Sequence, residues 1–330
     1  MERRRLGSTG VKVSELCLGT MTFGRETDEA ESARILARYL DEGGTFVDTA
    51  DVYGAGASEE ILGRLLKDRR DEIFLATKFR MSMGRGRGGA SRHWIRTAIE
   101  DSLRRLQTDH VDLYQIHCWD EATPIEETCS TLDDLVHEGK VRYLGASNFA
   151  GWQLATALGR AALHGWEPFV SLQPQYSLVC RDLEQELLPL SLAEGLALLP
   201  WSPLGGGLLT GKYRKGEAPP DETRATDDTP SSMLIRMRLR EERGFAIAET
   251  VARIAETTGH SRAQVALNWV LNRPGVTSPI LGARTVEQID DNLGAAGWEL
   301  DRDQRGELDE ASATDPGYPY DFIGWINATR

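Results

Sequence analysis

The chain has 330 residues, of which 40% are hydrophobic and 27% charged. That length allows one large domain or two ordinary ones, and the balance is that of a globular protein, which excludes disordered, collagen-like and fibrous classes. With 38 Lys and Arg against 51 Asp and Glu the net charge is −13. Nucleic acid and anionic membrane surfaces are therefore repelled, and any anionic ligand needs a local basic pocket. No apolar stretch approaches the ~20 residues that span a bilayer. Arg3, Arg4 and Arg5 precede no long apolar run, so no signal peptide is expected. Cys17, Cys118, Cys129 and Cys180 form neither a CxxC pair nor a disulfide framework, which points to a reducing cytoplasm.

In chain order, residues 1–13 read as a small hairpin around Ser8-Thr9-Gly10. Short runs rich in Val, Ile, Leu and Phe then alternate with stretches of helical periodicity. Strands are predicted at 15–20, 45–51, 73–79, 111–118, 141–149, 169–176, 196–204 and 278–283. Helices are predicted at 28–42, 58–67, 91–106, 125–138, 152–163, 183–193, 244–257, 262–271 and 285–293. Asp28, Ser58, Ser91 and Ser261 stand where helix N-caps belong, and Gly43-Gly44 and Gly139 where helices end. Residues 205–240 are polar and punctuated by Gly and Pro, which marks a lid over a site. The tail from Asp301 carries one more helix and the aromatic side chains Tyr318, Tyr320, Phe322 and Trp325.

Eight βα units with no break in composition predict a single α/β domain over 1–330, a (β/α)8 TIM barrel with an N-terminal hairpin and long βα loops. A doubly wound open sheet is the alternative, because strand count alone does not close a barrel. In a barrel the C-terminal strand ends face the active site. Three consecutive strands end in ionisable residues: Asp48 with Asp51 and Tyr53 just beyond, then Lys78, then His117. A charge in a buried strand is costly unless paired, so Asp48 and Lys78 read as partners. The pair alone is compatible with a purely structural ion pair, His117 alone with a core histidine, and Tyr53 alone with a loop aromatic. Together they suit proton transfer to a carbonyl oxygen. A phenol of reference pKa ~10 becomes a better acid beside an ammonium, and an imidazole can orient the carbonyl. No side chain donates hydride, so a cofactor must supply it. Gly54-Ala55-Gly56 lacks the third glycine of a Rossmann fingerprint. The Gly84-to-Gly89 run, with Arg85 and Arg87, reads as a flexible loop rather than an RNA-binding tract.

The ordered motifs resemble the aldo-keto reductases, in particular the bacterial branch that is itself similar to the potassium-channel β-subunits. They are Leu6-Gly7-Ser8-Thr9-Gly10, Leu18-Gly19-Thr20-Met21-Thr22-Phe23-Gly24, Asp48-Thr49-Ala50 with Tyr53-Gly54, Gly145-Ala146-Ser147-Asn148-Phe149, Gln173-Pro174-Gln175-Tyr176, Trp201-Ser202-Pro203-Leu204-Gly205, Leu209-Thr210-Gly211-Lys212-Tyr213 and Pro279-Ile280-Leu281-Gly282-Ala283-Arg284. The resemblance implies a barrel plugged by the hairpin, with NADPH across the top and a small-molecule carbonyl substrate. It implies Tyr53 as proton donor, Lys78 and Asp48 as its tuning pair, and His117 as the carbonyl-orienting group. Thr20, Met21 and Asp48 would border the cofactor, Ser147, Asn148 and Gln173 would hold its carboxamide, and Trp201 would stack on its ring. The backbone from Ser202 through Pro203, Leu204 and Gly205 to Gly207 would belt the pyrophosphate under Lys212 and Arg224. Gly282, Arg284, Gln288 and Asn292 would take the adenosine phosphate. No metal is implied.

Three functions follow from the resemblance: reduction of an aldehyde, ketone or sugar carbonyl; reduction of a deoxysugar or enoyl group on a nucleotide-linked hexose; or a non-catalytic NADPH-sensing regulatory subunit. Retention of His117 favours the first. Met21, Phe23, residues 81–89, Trp119 and the aromatic tail are expected at the substrate mouth.

Overall fold

The computed structural model describes residues 1–221, 223, 225, 226 and 230–329. Strands β1 (Arg3–Arg5) and β2 (Lys12–Ser14) pair antiparallel. The barrel strands are β3 (Cys17–Gly19), β4 (Phe46–Asp48), β5 (Phe74–Phe79), β6 (Val111–Ile116), β7 (Val141–Ser147), β8 (Phe169–Gln173), β9 (Ala197–Leu198) and β10 (Ile280–Gly282). All run parallel in the order β10-β3-β4-β5-β6-β7-β8-β9. Closure rests on backbone bonds from β9 to the segment before β10. Leu198 N–H donates to Gly275 O (3.3 Å), Thr277 N–H to Leu198 O (2.9 Å) and Ile280 N–H to Pro200 O (2.8 Å). The barrel is therefore the outcome, and the doubly wound alternative is excluded.

Helices α1 (Glu29–Asp41), α2 (Ala57–Leu65), α3 (Arg92–Leu106), α4 (Ile125–His137), α5 (Gly151–His164) and α6 (Leu187–Ala193) follow successive strands. Then come α7 (Pro230–Arg238), α8 (Glu242–Thr258), α9 (Arg262–Leu271), α10 (Val286–Leu293), α11 (Arg302–Ala311) and α12 (Tyr320–Ala328). Their starts follow the expected chemistry. Asp28 accepts from Glu31 N–H, and Ser261 forms a reciprocal cap with Gln264. None of the described helices is long and apolar enough to cross a membrane.

Leucine, isoleucine, valine and aromatic side chains on the outer strand faces pack under the helices as one core. A second cluster fills the lumen: Leu6, Val13, Cys17, Phe46, Ala76, Leu113, Ala197 and Leu199. Leu6 and Val13 come from the hairpin, which thus plugs the barrel floor. Gly7, at φ 56°, passes so close to the floor that a Cβ would lie 2.6 Å from Gly195 O, and only glycine fits there. The opposite end stays open to the βα loops.

Two sequence expectations need correction. Apart from β5, the strands end earlier than predicted, most of all β9, where Pro200 and Pro203 offer no N–H for ladder pairing. Ser58 is not an N-cap. It lies within α2, fully buried, and its hydroxyl donates to Thr20 O at 2.8 Å. Among its described residues the segment 205–240 holds a 3-10 turn, Gly205–Thr210, and α7. Beyond α11 the aromatic tail forms a further helix, α12, which carries Tyr320, Phe322 and Trp325.

Candidate active site

Asp48 ends β4 and Lys78 is the penultimate residue of β5, so both project into the top of the barrel. They are 2% and 0% exposed. Lys78 Nζ donates to Asp48 Oδ1 and to Thr49 O (2.8 Å). The other carboxylate oxygen, Oδ2, accepts amide N–H groups from Gln115 (3.1 Å) and Gln173 (2.9 Å). Several donors on one buried carboxylate offset its desolvation. Burial alone would push the Lys78 ammonium down, but Asp48 and Tyr53 beside it hold it above the usual lysine value.

Tyr53 opens a 3-10 turn, Tyr53–Gly56, in which Gly54 and Ala55 take left-handed φ of 58° and 55°. That reversal folds the phenol back over the strand ends. Its hydroxyl stands 3.4 Å from Lys78 Nζ, and the ammonium lies 5.0 Å from the ring centroid. His117 follows β6, its N–H bonded to Phe79 O at 3.0 Å. Its ring meets Tyr53 edge-on, with centroids 5.9 Å apart. Burial, then the charges of Lys78 and Arg80, push its pKa down to about 3. The imidazole is thus neutral at ordinary pH, a state in which it donates one hydrogen bond without charge. Asp48, Tyr53, Lys78 and His117 are all brought to one point.

The residues expected around a cofactor fall mostly on the same rim. Ser147 ends β7 and donates to Gln173 O at 2.8 Å. Asn148, at φ 54°, donates to His117 O (2.9 Å) and accepts from Trp201 Nε1 (3.1 Å). Trp201 and Asn148 therefore form one braced wall beside His117. Gln173 stands on the same rim, and its amide nitrogen donates to Asp48 Oδ2 (2.9 Å) and Gln115 Oε1 (3.4 Å). Thr20 is buried and donates to Asp48 O, while Met21 is half-buried just past β3. Pro203 and Leu204 lead from Ser202 into Gly205, Gly206 and Gly207, all three glycines at positive φ. A Cβ on Gly207 would sit 2.1 Å from Lys212 Cε, so the cation lies flat on bare backbone. Gly282 ends β10 and its carbonyl accepts from Asn292 Nδ2 (3.3 Å). Arg284 N–H donates to Gln288 Oε1 (2.9 Å), just before Thr285 caps α10. The Arg284 guanidinium lies 3.5 Å from Glu26. Arg224 lies outside the described residues. A glycine cradle, a cation laid on it and an arginine at a helix N-terminus fit a phosphate-bearing dinucleotide.

Phe23 is not at the mouth, being fully buried in the outer core. Gln115 and Arg80 escaped the sequence reading, and Asp51 was placed at the strand end without a role. For Gln115 the available signal was register, since it stands two residues before His117 on the same strand face.

Asp51 is 1% exposed, and neither of its oxygens has a hydrogen-bonding side chain. Burial and the Glu59 carboxylate push it up to about 7, against the Arg105 guanidinium. The folded state therefore binds this proton more tightly than the unfolded chain does. Its contribution to stability is full below about pH 4 and lost as pH rises through about 7. Asp51→Asn should raise thermal stability at pH 8, by up to ~4 kcal/mol, and the gain should shrink as pH falls and vanish only below about pH 4. Melting curves at the two pH values decide it, and a gain independent of pH counts against the assignment.

Residues 15–313 match the model of the Aldo/keto reductase family. The chain is 40% identical to the uncharacterized oxidoreductase YrpG of Bacillus subtilis (strain 168), over 92% of this chain and 93% of that protein. It is 35% identical to versiconal hemiacetal acetate reductase of Aspergillus parasiticus (94% and 96% covered). It is 34% identical to aryl-alcohol dehydrogenase GME11368 of Pestalotiopsis microspora (98% and 85% covered). With the barrel and the clustered strand-end residues already in place, a match of this extent means that the chain belongs to the aldo/keto reductase family.

Proposed function

We propose that the protein is an NADPH-dependent carbonyl reductase, working as one domain over 1–330, that turns an aldehyde, ketone or sugar carbonyl into an alcohol with Tyr53 as proton donor. The observation that carries this is the Tyr53 hydroxyl 3.4 Å from Lys78 Nζ, with Asp48 behind the lysine and a neutral imidazole at the ring edge. Asp48 fixes the ammonium. The ammonium stabilises the phenolate that develops as Tyr53 Oη gives its proton to the carbonyl oxygen. His117 donates a hydrogen bond that orients that oxygen.

Bound NADPH supplies the hydride that no side chain carries. Ser147, Asn148 and Trp201 would hold its nicotinamide end, residues 202–207 and Lys212 its pyrophosphate, and Arg284, Gln288 and Asn292 its adenosine phosphate. Charge-assisted bonds to a phosphate contribute ~1.5–3 kcal/mol. Arg284→Ala should therefore weaken NADPH ~10- to 100-fold and leave NADH nearly unchanged in a fluorescence titration. Equal losses for both cofactors would count against the pocket.

Trp119 and Trp152 meet on the rim with ring centroids 5.6 Å apart. With a relative named as an aryl-alcohol dehydrogenase, that rim supports an aryl carbonyl as substrate. Four free thiols suit the cytoplasm. The test is loss of the NADPH absorbance band with purified protein and a panel of aryl and alkyl aldehydes, ketones and sugars. Turnover with aryl aldehydes is the expected result. No turnover of any carbonyl with NADPH or NADH would overturn the reading.

A further inference from the structure

Arg80 stands immediately after β5, two residues beyond Lys78 and beside His117 on the neighbouring strand. Three observations set it apart from an ordinary loop arginine. Its backbone is held at φ 106°, where side chains other than glycine are rarely found. Its side chain is 29% exposed, yet Nε is sealed from solvent with no hydrogen-bond partner. Among the described residues its one ion-pair neighbour, Asp120, is 3.8 Å away, beyond hydrogen-bond reach.

Asp120 is already committed elsewhere. It accepts from Ala90 N–H (2.7 Å), Thr123 Oγ1 (2.8 Å) and Ala122 N–H (3.2 Å), and so pins the loop on either side. Among the described residues the Arg80 guanidinium therefore makes no hydrogen bond. Sheltered donors are normally satisfied, and strained backbone persists at sites that handle ligands. The loop that Arg80 opens is closed by its own carbonyl, which accepts Gly89 N–H at 2.9 Å. The guanidinium is thus a built feature of the mouth, and its charge reaches His117 and Cys118.

We propose that Arg80 is an anion subsite for the substrate, receiving a carboxylate carried on the same molecule as the reacting carbonyl. This deepens the carbonyl-reductase reading and rests on it. A guanidinium presents a planar fork of donors that matches a carboxylate in bidentate fashion. The buried cation of the site, Lys78, is neutralised by Asp48. In a protein of net charge −13 an anionic substrate is repelled at long range, so a local cation at the mouth is what admits it. Trp119, next to Asp120, lies edge-on to Phe149 at 5.3 Å and gives an aryl ring an apolar surface. The preferred substrate is then a formyl- or keto-aryl carboxylate.

The experiment compares 2-, 3- and 4-carboxybenzaldehyde with their methyl esters, which keep shape and reactivity but lose the charge. In the wild-type enzyme at least one acid should exceed its ester in kcat/KM by ~10- to 100-fold, mainly through KM. In Arg80→Gln that ratio should fall to about one, and Arg80→Lys should restore part of it. Benzoate, read by quenching of tryptophan fluorescence, should bind the wild-type at least ~10-fold more tightly than Arg80→Gln. This second readout needs no turnover. If esters are reduced but no acid is preferred, and benzoate binds both proteins equally, the subsite is overturned while the reductase reading stands. If benzoate binding depends on Arg80 but nothing is reduced, the reductase reading fails, and with it the assignment of the anion to a carbonyl substrate.

Discussion

Tyr53→Phe is expected to lower turnover ~10²–10⁴-fold while NADPH binds as before. The substitution removes one oxygen and nothing else from the site. The ring keeps its edge contact with His117, at 5.9 Å between centroids, and its place 5.0 Å from the Lys78 ammonium. On the cofactor side, Asn148 and Trp201 brace one another, Trp201 Nε1 donating to Asn148 Oδ1 at 3.1 Å. What is lost is the proton that neutralises the developing alkoxide. Steady-state rates with an aryl aldehyde, set beside a fluorescence titration of NADPH, separate the two effects. A Tyr53→Phe enzyme that reduced aldehydes at the wild-type rate would mean that the proton comes from elsewhere, and the mechanism would have to be abandoned.

Lys78→Met should also slow turnover by ~10² or more, for a different reason. The phenol would remain, but without the ammonium that stabilises its ionised form, so its pKa would rise and it would become a poorer acid. The alkaline limb of the rate profile should accordingly move to higher pH, which a merely structural lysine would not cause. The change also leaves Asp48 Oδ1 without its charged donor, while Oδ2 keeps Gln115 and Gln173. Breaking a buried pair costs about 3–5 kcal/mol, and the two amides should bring this protein to the low end of that range. Thermal melting measures that cost, and the pH profile measures the catalytic role. Wild-type rates and an unmoved alkaline limb in a folded Lys78→Met enzyme would remove Lys78 from the mechanism.

The strand-end pattern was readable because two features coincided. Apolar runs of strand length recur between helical stretches, and three consecutive runs carry an ionisable residue at the same end. Asp48, Lys78 and His117 interrupt buried strands, where an unpaired charge is too costly to be incidental. The order of motifs then carried the family. Helix caps were legible where a side chain bonds its own local backbone, as at Asp28, Ser91 and Ser261. Ser58 looked the same in one dimension. In the fold its hydroxyl is taken by Thr20 and Thr49, from two neighbouring strand ends.

Local sequence, then, decided the alternation of strand and helix, the capping and which ionisable side chains stand at the strand ends, because each depends on periodicity or on partners within a few residues. Barrel closure did not follow from strand count, for it rests on backbone bonds between the β9 segment and residues 275–280, far apart in the chain. Nor did the second carboxylate oxygen of Asp48, held by Gln115 and Gln173 from β6 and β8, because partners 67 and 125 residues away leave no local pattern. The same holds for Asp51, whose proton affinity is set by burial and by Glu59 and Arg105 on two helices. It holds for Arg80, which in the chain is one of many arginines. Only the packed strands and the prior commitment of Asp120 leave its guanidinium, beside His117, without a hydrogen bond among the described residues. Long-range burial and competition for partners are properties of the tertiary structure, and they turn a set of reactive side chains into a site with a specific mouth.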